Sequence, residues 1–228
     1  MPKLSIIIPA HNEADNLEVL LPKIKAAAQS LDYEVVLINN ASTDTTQRVM
    51  DRFAADPHFV VVSEPQLGFG YAILAGLRKA RGDFFAMMPS DNQVDPRDAI
   101  MLYQRCVSEH REVYKAIRKT RVNDGLKRII ISRVYNFLFK LFFGLTTKDI
   151  NACPKIFSRR FYEQAKLEST DWFIDAEIVI KATRLGYPIG EAEIDYLPRL
   201  KGKSTVRLVH IFQFLKNMVR WYQRLKHE

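Results

Sequence analysis

The sequence predicts an α/β fold built on an open, mostly parallel β-sheet flanked by helices. Three observations carry this expectation. Through the first hundred residues, short β-branched runs alternate with stretches of helical apolar spacing, the βαβ rhythm of a parallel sheet. With 228 residues, 47% of them hydrophobic, the chain can fill one core of that class. A polar loop follows each apolar run, and in open parallel sheets ligands sit beyond the carboxyl ends of the strands.

Taken in order, Leu4 to Ile8 reads as a strand, Leu17 to Leu31 as a helix, Glu34 to Ile38 as a strand and Thr45 to Ala55 as a helix. Phe59 to Ser63 is a third strand, Gly70 to Arg81 a helix stopped by Gly82, and Phe84 to Met88 a fourth strand. Further on, Leu126 to Leu145 has the apolar spacing of a long helix, with Gly144 placed to end it. Its apolar stripe is broad and punctuated by Arg128, Arg133 and Lys140. A similar pattern runs through Leu208, Ile211, Phe212, Leu215, Met218, Val219, Tyr222 and Leu225. Each stripe suits either core packing or a bilayer interface.

Charge divides the chain. Residues 1–110 carry 10 Lys/Arg against 14 Asp/Glu, whereas residues 111–228 carry 24 against 12, giving the net +8. A basic second half suits a polyanionic partner, although scattered charges on solvated helices give the same count. Cys106 and Cys153 are far apart with no metal-ligand spacing, so neither a disulfide framework nor a zinc site is expected. The start has no signal-peptide pattern, and no run approaches the roughly 18 apolar residues of a membrane span. The expectation is a single domain over residues 1–228 with an acidic front half (1–110) and a basic back half (111–228), in a reducing cytoplasmic setting and either soluble or peripheral to a membrane.

The loops after the four strands carry the candidate site: Pro9 to Glu13, Asn39 to Asp44, Pro65 to Gly70 and Pro89 to Gln93. Alone, Asn12-Glu13 and Ser42-Thr43-Asp44 suit helix capping as well as ligand binding. Gly68-Phe69-Gly70 could place backbone N–H groups at a phosphate, but lacks the full GxGxxG pattern.

In combination and order these motifs are more specific. Pro9-x-x-Asn12-Glu13, Ser42-Thr43-Asp44, Gly68-x-Gly70 with Ala75-Gly76, Arg81-Gly82-Asp83 and Asp91-x-Gln93 are followed by Arg118, Asp149, Lys155-Ile156-Phe157, Asp175-x-Glu177, Gly186-Tyr187, Glu191 and Arg199-x-x-Gly202-x-Ser204. Over nearly its whole length the chain resembles the glycosyltransferases of family 2, with their GT-A-type fold, and within them the dolichyl- and polyprenyl-phosphate sugar synthases. The resemblance implies a nucleotide-sugar donor, GDP-mannose or a UDP-hexose, and inverting transfer to a polyprenyl phosphate. It puts the donor near Pro9, Ala10, Asn12, Glu13, Asn39, Asn40, Gly68 and Gly70, with Mg2+ or Mn2+ and the diphosphate at Asp91 and Gln93. Arg118, Arg199 and Lys203 are the implied phosphate contacts on the donor side; Arg121, Arg128, Arg133 and Glu177 face the acceptor. Asp91, Asp175 and Arg199 are the implied catalytic residues, with Asp175 either a sugar contact or base, or a stabiliser of its helix start. The implied partners are the nucleotide sugar, the lipid, and a membrane surface or membrane protein. No nucleic-acid partner is expected.

The chain departs from that pattern at two places. Pro89 stands where the family's metal motif has its first aspartate, and Asn39-Asn40 replaces an acidic pair. Fewer carboxylates weaken cation binding before they abolish it. Three readings stay open: an enzyme with a weakened metal site, a metal-independent transferase using Arg and Lys, or a silent binder.

Overall fold

The computed structural model describes residues 3–119, 136–144, 147–198 and 216–224. Its centre is a seven-stranded sheet: β1 (Leu4–Ala10), β2 (Tyr33–Asn40), β3 (Phe59–Glu64), β4 (Phe84–Met87), β5 (Val113–Arg118), β6 (Lys155–Ser158) and β7 (Ile189–Ile194). Their order is β3-β2-β1-β4-β6-β5-β7. All neighbours are parallel except β6, which runs antiparallel to both β4 and β5. The C-terminal ends of β1–β5 and β7 therefore share one edge with the start of β6.

Strands β1 and β2 are buried along their whole length, as central parallel strands covered on both faces must be. Leu4, Ile6 and Ile8 face one apolar layer, and Ile7 faces the other. The first layer is covered by α1 (Ala14–Ala28), α2 (Thr46–Phe53) and α4 (Pro96–Ser108), the second by α3 (Phe69–Lys79), α5 (Arg159–Ala165) and α6 (Ile174–Arg184). Helix α4 starts with Pro96 in its first turn and the Asp95 carboxylate accepting the Arg97 N–H, a capped entry that fixes the chain leaving β4.

Of the expected long helix, residues 136–143 are helical, and Gly144 follows at φ +64 with its N–H on Lys140 O (3.0 Å), as expected. Residues 216–224 are also helical. Phe139, Met218 and Trp221 bury together against Phe173, Val179 and Ile180 of the α6 region. Core packing therefore takes those positions, while Phe137, Leu141 and Val219 stay exposed. The remaining positions of both stripes lie outside the described residues.

Candidate active site

Strands β1 and β2 run two residues further than the apolar pattern indicates, so Pro9, Ala10, Asn39 and Asn40 are strand ends rather than loop residues. Beyond them the chain turns through Asn12, Ala41 and Asn92, all at positive φ, a conformation Asn tolerates better than Ala. Asn12 does not cap α1. Its Oδ1 accepts the N–H groups of Thr43 (2.8 Å) and Asp44 (3.2 Å), tying the β1 loop to the β2 loop. Asp44 in turn accepts from the Thr46 N–H and hydroxyl; burial opposes ionisation, yet these hydrogen bonds hold its carboxyl below the usual range. Glu13 accepts from the Asn16 amide, and Asn92 donates to Asn16 O (2.9 Å), so the β1 and β4 loops share a brace.

The asparagine pair also holds its own loops. Asn39 donates to Gln47 Oε1 (2.6 Å) and accepts from the Ser42 N–H (3.1 Å). Asn40 donates to Gln66 O (2.7 Å) and accepts from the Gly68 N–H (2.9 Å), fixing the β3–α3 loop. This arrangement explains an amide at position 40, since a carboxylate cannot donate to a carbonyl. Asn40→Asp is expected to cost about 2 kcal/mol or more by setting a charge against Gln66 O, whereas Asn39→Asp costs less, about 1 kcal/mol, because the Gln47 amide can turn to donate at the expense of its exposed hydrogen bond to Asp51 (2.7 Å). Urea unfolding of both variants checks this, and equal losses would reject the account.

On the opposite sheet face, two of the expected site elements make structural contacts. Gly68 and Gly70, expected at a phosphate, pack against the chain between α5 and α6. A Cβ on Gly70 would lie 2.2 Å from Ser169 O and 2.4 Å from the Thr170 carbonyl carbon, so only glycine allows this approach. The Tyr71 N–H donates to Thr170 O (3.1 Å), and Phe69 stacks on Trp172 at 4.4 Å. Glu177, expected to face the acceptor, is fully buried, and its two carboxylate oxygens accept the N–H groups of Glu168 (2.9 Å) and Ser169 (2.7 Å). It braces this loop. Burial pushes its carboxyl above the usual range against those hydrogen bonds.

Asp91 and Gln93 leave β4 half-exposed, and the Asp91 carboxylate accepts the Gln93 N–H (3.1 Å). Across the edge, Arg118 at the end of β5 makes a bidentate pair with the buried Asp149, Nε at 2.8 Å and Nη2 at 3.1 Å, and lies 5.5 Å from the Tyr196 ring centroid. Below it sit two fully buried lysines. Lys155 pairs with Asp175 at 2.5 Å and donates to Ala152 O; burial is the largest single influence and lowers its basicity, but Asp175 together with Cys153 and Asp149 holds the amine above its ordinary range. Lys115 lies 3.4 Å from Glu191, which also accepts from Thr147; burial pushes its amine down to about 8, with Glu191 opposing. The expectation of Asp175 as a sugar contact or base thus meets a carboxylate already committed to Lys155. Lys115, Thr147 and Tyr196 were not singled out by the sequence. A lysine inside Val113-Tyr114-Lys115-Ala116-Ile117 was the available signal.

A cation here would find one carboxylate, Asp91, and the amide oxygen of Gln93. Among the described residues, no group of three or more His, Cys, Asp or Glu side chains is placed to hold a metal. The donor set is hard oxygen, as Mg2+ or Mn2+ requires, and it fits an ion whose shell is completed by diphosphate and water. Arg121, Arg128, Arg133, Arg199 and Lys203 lie outside the described residues.

Residues 5–165 match the family model for glycosyl transferase family 2. The chain is 30% identical over 218 residues to glycosyltransferase AglD of Haloferax volcanii, covering 91% of this chain and 35% of that protein. It is 27% identical over 221 residues to undecaprenyl-phosphate 4-deoxy-4-formamido-L-arabinose transferase of Shewanella sediminis, covering 95% and 65%. The chain thus spans between about a third and two thirds of the length of these curated relatives. Its fold superposes on glucosyl-3-phosphoglycerate synthase from Mycobacterium tuberculosis, solved with Mn2+, UDP and glucosyl-3-phosphoglycerate, with a TM-score of 0.77 at 18% identity over 97% of this chain and 80% of that one. At that identity the likeness speaks to the fold, which is of the GT-A type.

Proposed function

We propose that this chain, which belongs to glycosyl transferase family 2, transfers a hexose with inversion from a nucleotide-diphosphate sugar to a polyprenyl phosphate in one displacement. The observation that carries this reading is the meeting, at one sheet edge, of the Asp91–Gln93 loop and the doubly held Arg118. A single carboxylate on the β4 loop and a pre-oriented guanidinium at the end of β5, on the same sheet edge, suit a diphosphate that brings its own divalent cation. When bound, Mg2+ or Mn2+ supplies charge neutralisation for the leaving diphosphate. Arg118 takes part of the same charge through its planar donors, and its pairing with Asp149 spares it reorganisation.

A phosphate acceptor, with a second pKa of about 6, is already ionised at neutral pH and needs no general base. This agrees with the occupied carboxylates of Asp175 and Glu177, whereas a hydroxyl acceptor on a polysaccharide would call for a base. The undecaprenyl-phosphate acceptor named for the Shewanella relative supports the lipid reading. No helix among the described residues is long and apolar enough to cross a membrane. We place the work on the cytoplasmic membrane face, reached through a membrane protein or through the basic back half, where Phe137 and Leu141 stand exposed one helical turn apart. The front half, 1–110, holds the donor and the back half the acceptor.

Incubation with GDP-mannose and UDP-hexoses, with and without Mn2+, with polyprenyl phosphate in detergent, tests the proposal. Divalent-dependent formation of a sugar-phosphate lipid is the expected result. Turnover on an oligosaccharide acceptor alone would overturn the acceptor, and donor binding with no turnover on any acceptor would make the chain a binder.

A further inference from the structure

The end of β7 and the segment leaving it are pinned to three different parts of the site edge. The Lys119 N–H donates to Ile194 O (3.0 Å), carrying the β5–β7 pairing one residue past Arg118. Two residues on, the Tyr196 hydroxyl spends both of its hydrogen-bonding roles on one residue, accepting the Cys153 N–H at 2.8 Å and donating to Cys153 O at 2.5 Å. Its ring lies beneath the Arg118 guanidinium. The next residue, Leu197, donates its N–H to Gln93 O (2.9 Å), and its own carbonyl receives the Gln93 side-chain amide (3.4 Å). Consecutive residues of one extended segment thus hold the arginine and the loop bearing Asp91.

This double attachment is more than the sheet requires. The Tyr196 hydroxyl fixes where its ring stands by gripping the residue before Pro154, whose carbonyl accepts the Ala116 N–H of β5 (3.0 Å). The ring is thereby referenced to the strand that carries Arg118. Leu197, one residue along, transmits that reference to Gln93, and the Gln93 N–H holds the Asp91 carboxylate. Burial raises the phenol well above its ordinary range, so its hydroxyl keeps its proton and both hydrogen bonds through the working pH range.

Resting on the diphosphate reading given above, we infer that Tyr196 is a positioning residue that sets the separation between the Arg118 guanidinium and the Asp91–Gln93 loop, the two ends of the diphosphate site. It touches neither donor nor acceptor in this role. It acts through Arg118 by its ring and through Gln93 by the adjoining peptide. A misplacement of about 1 Å in such a site is enough to cost affinity and rate.

The test uses the full chain and Mn2+ with inorganic pyrophosphate, a probe that needs no knowledge of the nucleotide or sugar. Titration calorimetry is run on wild type, Tyr196→Phe, Tyr196→Leu, Arg118→Met and the Tyr196→Leu/Arg118→Met pair, each checked by circular dichroism and thermal melting. Tyr196→Leu is expected to weaken binding by about 30-fold, because ring and hydroxyl are both lost. Tyr196→Phe keeps the ring under Arg118 and is expected to weaken it by about 3-fold. In the Arg118→Met background, Tyr196→Leu should add less than its effect alone, since the two act as one unit. Variants that melt lower yet bind pyrophosphate like wild type would overturn the inference, leaving Tyr196 a structural anchor. Fully additive losses would overturn the route through Arg118. A wild-type chain that ignores Mn2+-pyrophosphate removes the diphosphate reading, and this inference with it.

Discussion

Asp175→Ala is expected to destabilise the folded chain by about 3–5 kcal/mol, the cost of leaving a buried charge without its partner. The Lys155 ammonium is fully buried and lies 2.5 Å from the Asp175 carboxylate. With that carboxylate gone, Ala152 O at 3.1 Å and the weakly accepting Cys153 sulfur are the hydrogen-bonding contacts remaining to it among the described residues. Neither replaces a negative charge, so the amine must either give up its proton or draw water into the junction of β4, β5 and β6. Guanidinium unfolding followed by circular dichroism measures the loss, and a change below about 1 kcal/mol would rule the account out. The double variant Lys155→Met/Asp175→Leu is expected to recover most of the stability, because apolar replacement of a buried pair is often neutral or better. Its turnover separates two roles for Asp175. A sugar contact or base leaves the double variant folded but inactive, whereas a partner to Lys155 leaves activity tracking the folded fraction, which is the outcome expected.

The buried lysines also explain which parts of the fold were legible in the sequence. The βαβ half was readable because β1 and β2 are uninterrupted apolar runs, buried on both faces. Strands β5 and β6 were not, since each carries a lysine at a fully buried position, which breaks the pattern that marks a central strand. β7 reads Ile-Gly-Glu-Ala-Glu-Ile, where the glutamates alternate with buried positions as in a strand, but Gly190, which lies against the Tyr114 ring, and the two glutamates are residue types depleted in strands. The reversal at β6, which brings Cys153 and Lys155 to the ligand edge, depends on long-range pairing that no local pattern encodes.

The site divides in the same way. That polar residues gather after the strands was foreseeable from the topology alone. Which of them face a ligand was not, because Asn12, Asn39, Asn40 and Glu177 have the same composition whether they bind a nucleotide or hold a loop. Their hydrogen bonds go to loop backbone and neighbouring side chains. These asparagines therefore preorganise the edge on which the Asp91 carboxylate and the Asp149-paired Arg118 guanidinium also stand.

Asp91→Ala is expected to weaken Mn2+-dependent donor binding by about 100-fold, equivalent to about 2.7 kcal/mol. Asp91 is the carboxylate the β4 exit offers, since Pro89 stands two residues before it and Gln93 two residues after. An amide oxygen and water can complete a cation's shell, but neither supplies the charge that holds a divalent ion beside diphosphate. The same reasoning predicts that Pro89→Asp tightens Mn2+ binding by about tenfold, because ligand charge count tunes affinity in oxygen sites. Position 89 is half-exposed and follows the Met88 N–H bond to Ile7 O (3.1 Å), so the substitution restores an N–H without displacing an existing one. Calorimetry with Mn2+ and a nucleotide diphosphate measures both variants, with melting temperatures as the check on folding. Folded Asp91→Ala protein that keeps its Mn2+-dependent affinity would move the cation away from this loop. Arg118→Met then becomes the decisive comparison: an unchanged Asp91→Ala variant beside a strongly weakened Arg118→Met variant would mean that the guanidinium neutralises the diphosphate and that the loss of the first aspartate marks a metal-independent enzyme.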